Sequence, residues 1–177
     1  MKINFIYSPQ YENALNNGGA ISWRKASKSK NEMNLIWQKK GKDIEYTLYK
    51  ITNLKFTENE TTCYLNSVFS ISDPFSLQIL NDKKTMTDNL IHELIHILLT
   101  QNINIIQKKI AVHHKRFSKY NFTTRIHILV HAVHLELSKL IYPQRIKYIK
   151  SFSKDNSYVK SWRIVDVIGS KKILDIL

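Results

Sequence analysis

Residues 90–99 read Leu90-Ile-His-Glu-Leu-Ile-His-Ile-Leu-Leu99. Apolar residues surround the polar ones, which predicts a helix buried almost all round. Helical positions four apart share a face, so His92 and His96 can aim two imidazoles at one point. Glu93 is turned about 100° away from His92. Burying two histidines and a carboxyl is costly unless they find partners, and one metal ion is the simplest partner for all three. Zinc with an open position lowers the pKa of its bound water to about 7. Glu93 is placed to lean over that water as general base. Residues 85–88, Thr-Met-Thr-Asp, form a candidate capping box and predict the helix start.

A catalytic zinc site takes a third protein ligand. Residues 124–142 lack Pro and Gly and predict a second buried helix. His127, His131 and His134 fall at spacings of four and three, on one stripe of that helix. Glu136 sits off the stripe. The candidate ligands are therefore His92 and His96 with His127 or His131 as the third. Spacing leaves both open, and the other would then fix the tautomer of the ligand from behind. His134 faces substrate or packs.

The His-Glu-x-x-His pattern at 92–96, followed by a second ligand helix, resembles the gluzincin arrangement of zinc metallopeptidases. It is also similar to small uncharacterised bacterial and archaeal proteins whose later helix carries a His-x-x-x-His-Ala element, here His127 to Ala132. The resemblance covers roughly residues 60–142. It implies a Zn²⁺ ion, a peptide or protein substrate, and peptide-bond cleavage by zinc-activated water with Glu93 as base. It implies a third ligand that is usually Glu, where this chain offers His127 and His131. It also implies an edge strand beside the site, for which residues 68–79 are the candidate, with Pro74 at an edge or a strand end. Tyr142, Tyr148 and Tyr158 are candidate oxyanion donors.

Two further readings stand beside this one. A scaffold in which four histidines close the metal site would have no turnover. A basic, nucleic-acid-associated protein is the other; His113 to Phe117 resembles the His-x-x-x-Phe setting of SprT-like proteases, which act on DNA-bound proteins. The run at 108–116 that holds His113 reads instead as a solvated face or loop.

The net charge is +13, from 27 Lys and Arg against 14 Asp and Glu. Such a balance suits nucleic acid or another acidic partner. The basic residues are spread along the chain, which favours codon drift over a built nucleic-acid face. No apolar run is long enough to span a bilayer, and no leader is evident, so a cytoplasmic protein is expected. Cys63 stands alone and predicts a buried small residue.

The expected fold is α+β in one domain, residues 1–177. Residues 1–80 make a β-rich lobe, a small N-terminal sheet with one helix. Residues 81–177 make a helical lobe carrying both ligand helices. Strands are predicted at 3–7, 55–57 and 62–67, turn and mobile loop over 8–31 with an Asn-Gly-Gly turn at 16–19, and a short helix or strand at 34–38. A helix capped by Asp43 is predicted at 43–53, and helices at 145–152, 158–168 and 170–177.

Overall fold

The computed structural model describes residues 1–16, 21–151, 155–175 and 177. In chain order the elements are β1 (Lys2–Tyr7), α1 (Pro9–Asn16), α2 (Trp23–Thr52), β2 (Glu60–Asn66), β3 (Ile71–Ser72) and β4 (Phe75–Gln78). There follow α3 (Lys83–Gln101), α4 (Ile103–Arg116), α5 (Phe122–Ile141), a 3-10 turn (Pro143–Arg145), α6 (Ile146–Ser151), α7 (Asn156–Ile168) and α8 (Ser170–Leu174). The fold is mixed α+β and mostly helical. The sheet is not a clean N-terminal block, because α1 and α2 separate β1 from the other strands. α2 alone, at 30 residues, is longer than the four strands together, at 6, 7, 2 and 4. The chain divides into two compact units, Met1–Asp43 with Phe56–Ile97, and Ile44–Lys55 with Leu98–Leu177.

The first unit holds the sheet, in the order β1-β2-β4-β3. β1 and β2 are parallel, β2 and β4 are parallel, and β3 turns back antiparallel to β4. A parallel neighbour needs a long crossover, and α1 with α2 supplies the one from β1 to β2. Ile3 and Phe5 alternate into the core from β1, whereas Phe75, Ser76 and Leu77 of β4 are all buried in succession. That is the pattern of an inner strand covered on both faces. The strand expected over 68–79 is thus two strands, an inner β4 and a two-residue edge β3. The turn leaving β2 is built by Asn66, whose Oδ1 accepts the N–H groups of Val68 (2.8 Å) and Phe69 (3.0 Å) while Nδ2 donates to the Phe69 carbonyl (2.9 Å). Glu12 of α1 is fully buried, and its carboxylate accepts the Ser67 N–H (3.0 Å) and the Ser67 hydroxyl. Those bonds offset the cost of taking the carboxylate out of water and tie α1 to the end of β2.

Residues 8–31 differ from expectation: they hold α1 and the start of α2. The Asn-Gly-Gly turn at 16–19 lies, after Asn16, outside the described residues. The element at 34–38 and the helix at 43–53 are parts of one helix, so Asp43 is interior and caps nothing. The buried positions of α2 are Ala26, Ser29, Met33, Trp37, Gly41, Ile44, Leu48 and Thr52, repeating at three and four, with Ser29, Gly41 and Thr52 diluting its apolar character. Such a thin stripe shows its period only across several turns. Residues 55–57 form no strand.

In the second unit α5 packs against α7 and α8. Asn121 caps α5 by accepting the Thr124 N–H (2.8 Å), and Asp155 caps α7 through the N–H groups of Ser157 (2.7 Å) and Tyr158 (3.3 Å). Gly169, at φ 89°, ends α7 in a conformation that glycine adopts without strain. The three C-terminal helices appear where expected, although Phe152, the predicted end of the first, lies outside the described residues. The run at 108–116 is a solvated helix face rather than a loop: it forms the last turns of α4 and is mostly exposed, with His113 the buried exception. Among the described residues no helix is long and apolar enough to cross a membrane.

Gly41 tests the packing of α2. A Cβ added there would lie 2.8 Å from the Trp37 ring, whose Nε1 donates to the Met1 carbonyl (3.2 Å). Gly to Ala inside a helix ordinarily gains about 1 kcal/mol. Overpacking against a held ring costs about 1–3 kcal/mol. Gly41→Ala is expected to lower the unfolding free energy in a urea titration by up to about 2 kcal/mol. A rise would show that the ring yields.

Candidate metal centre

α3 begins at Asp82, not at the predicted capping box. The Asp82 carboxylate accepts the N–H groups of Lys84 and Thr85, each at 3.1 Å, and the Thr85 hydroxyl at 2.6 Å. Thr85 is therefore inside the first turn, and an acidic cap meets the exposed N–H groups.

Two turns on, α3 presents His92 and His96 with their Nε2 atoms 3.2 Å apart and their ring centroids 4.9 Å apart. Two ligands of a tetrahedral zinc at 2.0–2.1 Å stand about 3.3 Å from each other. The pair therefore already has the spacing of two ligands on one ion. Glu93 is buried beside them, and burial pushes its carboxyl up to about 8. Burial first, and Glu93 second, push the buried Cys63 thiol well above its usual value.

α5 contributes His127. Its Nδ1 lies 2.7 Å from the Thr123 carbonyl. A carbonyl only accepts, so Nδ1 carries the proton and Nε2 carries the lone pair a metal needs. Burial lowers the His127 pKa against the opposing pull of the Thr123 carbonyl and Asp155, which favours the neutral ring. One ligand nitrogen from each of His92, His96 and His127 lies within 4.8 Å of the other two. These residues can hold a divalent ion.

The other predicted residues go elsewhere. His131 Nδ1 is 2.8 Å from Ser161 Oγ, and the Ser161 hydroxyl donates to the Tyr158 carbonyl at 2.8 Å. The serine proton being spent there, His131 donates from Nδ1. Its ring stacks on Trp162 with centroids 4.1 Å apart and planes 7° from parallel. His134 shares the stripe with His127 but lies about 10 Å further along the axis, at 1.5 Å per residue. Burial alone pushes its pKa down to about 4. His113 Nε2 is 2.7 Å from the Arg125 carbonyl, outside the three-histidine group. Of the candidate tyrosines, Tyr158 has its ring centroid 4.0 Å from that of His127. Thr123, Ser161 and Trp162 were missed in the sequence. Thr123 alone left a signal, since the carbonyl four residues before His127 is the one a helical side chain reaches first.

These positions overturn the gluzincin resemblance. Glu136 is nine residues from His127, about 180° round the helix, and its carboxylate accepts from Lys139 (2.6 Å) and from the Ser170 hydroxyl. The third member of the group is His127 and not a carboxylate. The arrangement is three imidazoles rather than two imidazoles and a glutamate. The peptidase assignment that rested on the His-Glu-x-x-His pattern falls with the resemblance. Compared with family models, with curated proteins and with solved structures, the chain matches none.

Glu93 makes stability depend on pH. Its folded pKa, about 8, stands above the ordinary carboxyl value of 4.5. The unfolded chain therefore releases the proton first as pH rises. The stabilisation is full below about pH 4.5 and is lost up to about pH 8, at a limiting slope of about 1.4 kcal/mol per pH unit. Glu93→Gln removes that slope. With a chelator present, wild type should lose stability relative to Glu93→Gln between pH 5 and pH 8 in denaturant titrations. Parallel profiles would mean that Glu93 ionises freely in the fold.

Proposed function

We infer that this chain is a divalent-metal-binding protein in which His92, His96 and His127 hold the ion and His131 supports the site without binding it. The three-histidine group carries the reading. The 3.2 Å spacing of the α3 pair supports it, as does the Nδ1 tautomer of His127. Neutral imidazoles suit zinc, copper, nickel and cobalt, and zinc is the ion whose tetrahedral geometry matches the pair. The ion would tie α3 to α5, so its binding free energy would appear as stability. A scaffold role asks nothing more of the residues around the ion.

Ligand count favours a second reading. Three protein donors leave one position of a tetrahedral ion to water, and such water is acidic enough to supply hydroxide near neutrality. A hydrolytic role would place Glu93 beside that water as the proton acceptor, for which it must give up the proton that burial favours.

Elemental analysis separates these from a chance cluster. Purified wild type is expected to carry about one zinc per chain and to lose thermal stability on chelation. His92→Ala and His127→Ala should lose the metal, while His131→Ala should keep it at weakened affinity, on the order of tenfold. Zinc retained in His127→Ala but lost in His131→Ala would move the third ligand. An esterase signal on p-nitrophenyl acetate that needs zinc and disappears in Glu93→Gln would favour hydrolysis over scaffold.

A further inference from the structure

A cavity of about 420 Å³ opens in the second unit, and none of the metal candidates lines it. Ile164, Val167 and Ile168 of α7 line it against Phe117 at the end of α4. These three positions form a second apolar stripe on α7, at i, i+3 and i+4. The helix's own packing does not explain them, because its buried stripe is Ser161, Trp162 and Val165. Val167 is 86% exposed, the most exposed large apolar residue among the described residues.

Three cations stand round this floor, Arg116, Lys119 and Arg163, and no carboxylate lines it. Among the described residues none of the three is in an ion pair, whereas the neighbouring Asp166 pairs with Lys150 at 2.5 Å. Basic residues often gather at helix C-termini, where the dipole favours them. That accounts for Arg116. It does not account for Arg163, which lies five residues before the end of α7, or for Lys119, which lies beyond α4.

An apolar floor under unpaired cations has the complement of an amphipathic anion. The volume is that of a small-molecule site. A single nucleic-acid strand asks for a basic track with aromatic faces open for stacking. Here Phe117 is buried, Lys119 already lies over the Tyr120 ring at 5.1 Å, and the remaining floor is aliphatic. We propose that this groove binds a medium-chain alkyl carboxylate, its tail on Ile164, Val167 and Ile168 and its head among Arg116, Lys119 and Arg163.

The test is calorimetric titration of the full chain with octanoate, decanoate and dodecanoate. Saturable binding of one equivalent is expected, tightening about threefold per added methylene and weakening with salt. Arg163→Glu and Val167→Asp should each weaken dodecanoate at least tenfold. Both replaced side chains are exposed, so circular dichroism should report an intact fold. If Arg163→Glu does not fold, Val167→Asp carries the test. Dodecyltrimethylammonium, with the same tail and the opposite charge, should not bind. Equal binding of that cation, or unchanged dodecanoate binding in the folded variants, would overturn the proposal. So would oligothymidylate binding that these substitutions abolish while dodecanoate fails to bind, and that result would assign the face to nucleic acid.

Discussion

An imidazole leaves water at low cost only when its ring nitrogens are met, and this chain buries four of its seven histidines. Burial lowers the pKa values of His113, His127 and His134, which favours neutral rings. A neutral ring has one N–H to place and one lone pair. Where the N–H goes decides what the other nitrogen can do. His127 spends Nδ1 on the Thr123 carbonyl of its own helix, which turns Nε2 outward as a lone pair. His113 spends Nε2, the outer nitrogen, on the Arg125 carbonyl. The same residue type thus becomes a metal candidate in one helix and a structural group in the other.

The sequence revealed elements in proportion to their apolar density. α3 and α5 are apolar nearly all round, and a local window finds them. Their starts were less legible. α3 begins on Asp82 because a short acidic side chain there meets three donors, and the Thr85 pattern just beyond it looked equally good without that knowledge. α2 was broken into fragments because one buried residue per turn, or fewer, leaves short stretches looking like polar loop. Its length becomes visible only when Ala26 and Leu48 are placed on the same line.

The candidate site was half legible for a related reason. Spacing within one helix fixed His92 and His96 as a pair, because both partners lie four residues apart. It could not choose between His127 and His131, which differ by about 40° round the same helix. Distance across the fold separates them: a ligand nitrogen of His127 comes within 4.8 Å of those of the α3 pair, whereas His131, bonded to Ser161 and stacked on Trp162, is outside that group. The resemblance to glutamate-ligated enzymes failed on a local point of geometry. Glu136 is near His131 in sequence but turned round the helix toward Lys139 and Ser170.

Net charge alone says little about partners here. With 27 basic residues against 14 acidic ones, no more than 14 cations could find a one-to-one partner, so unpaired cations must be common. An unpaired lysine or arginine on open surface is simply hydrated, as at most such sites. Pairs such as Lys2 with Glu60 and Lys150 with Asp166 are exposed or half-exposed and contribute little. What distinguishes Arg116, Lys119 and Arg163 is the apolar floor beneath them. Their hydration competes with an anion whose tail brings its own free energy of burial. That coupling of head and tail, rather than the count of positive charges, is what gives this part of the surface chemical selectivity.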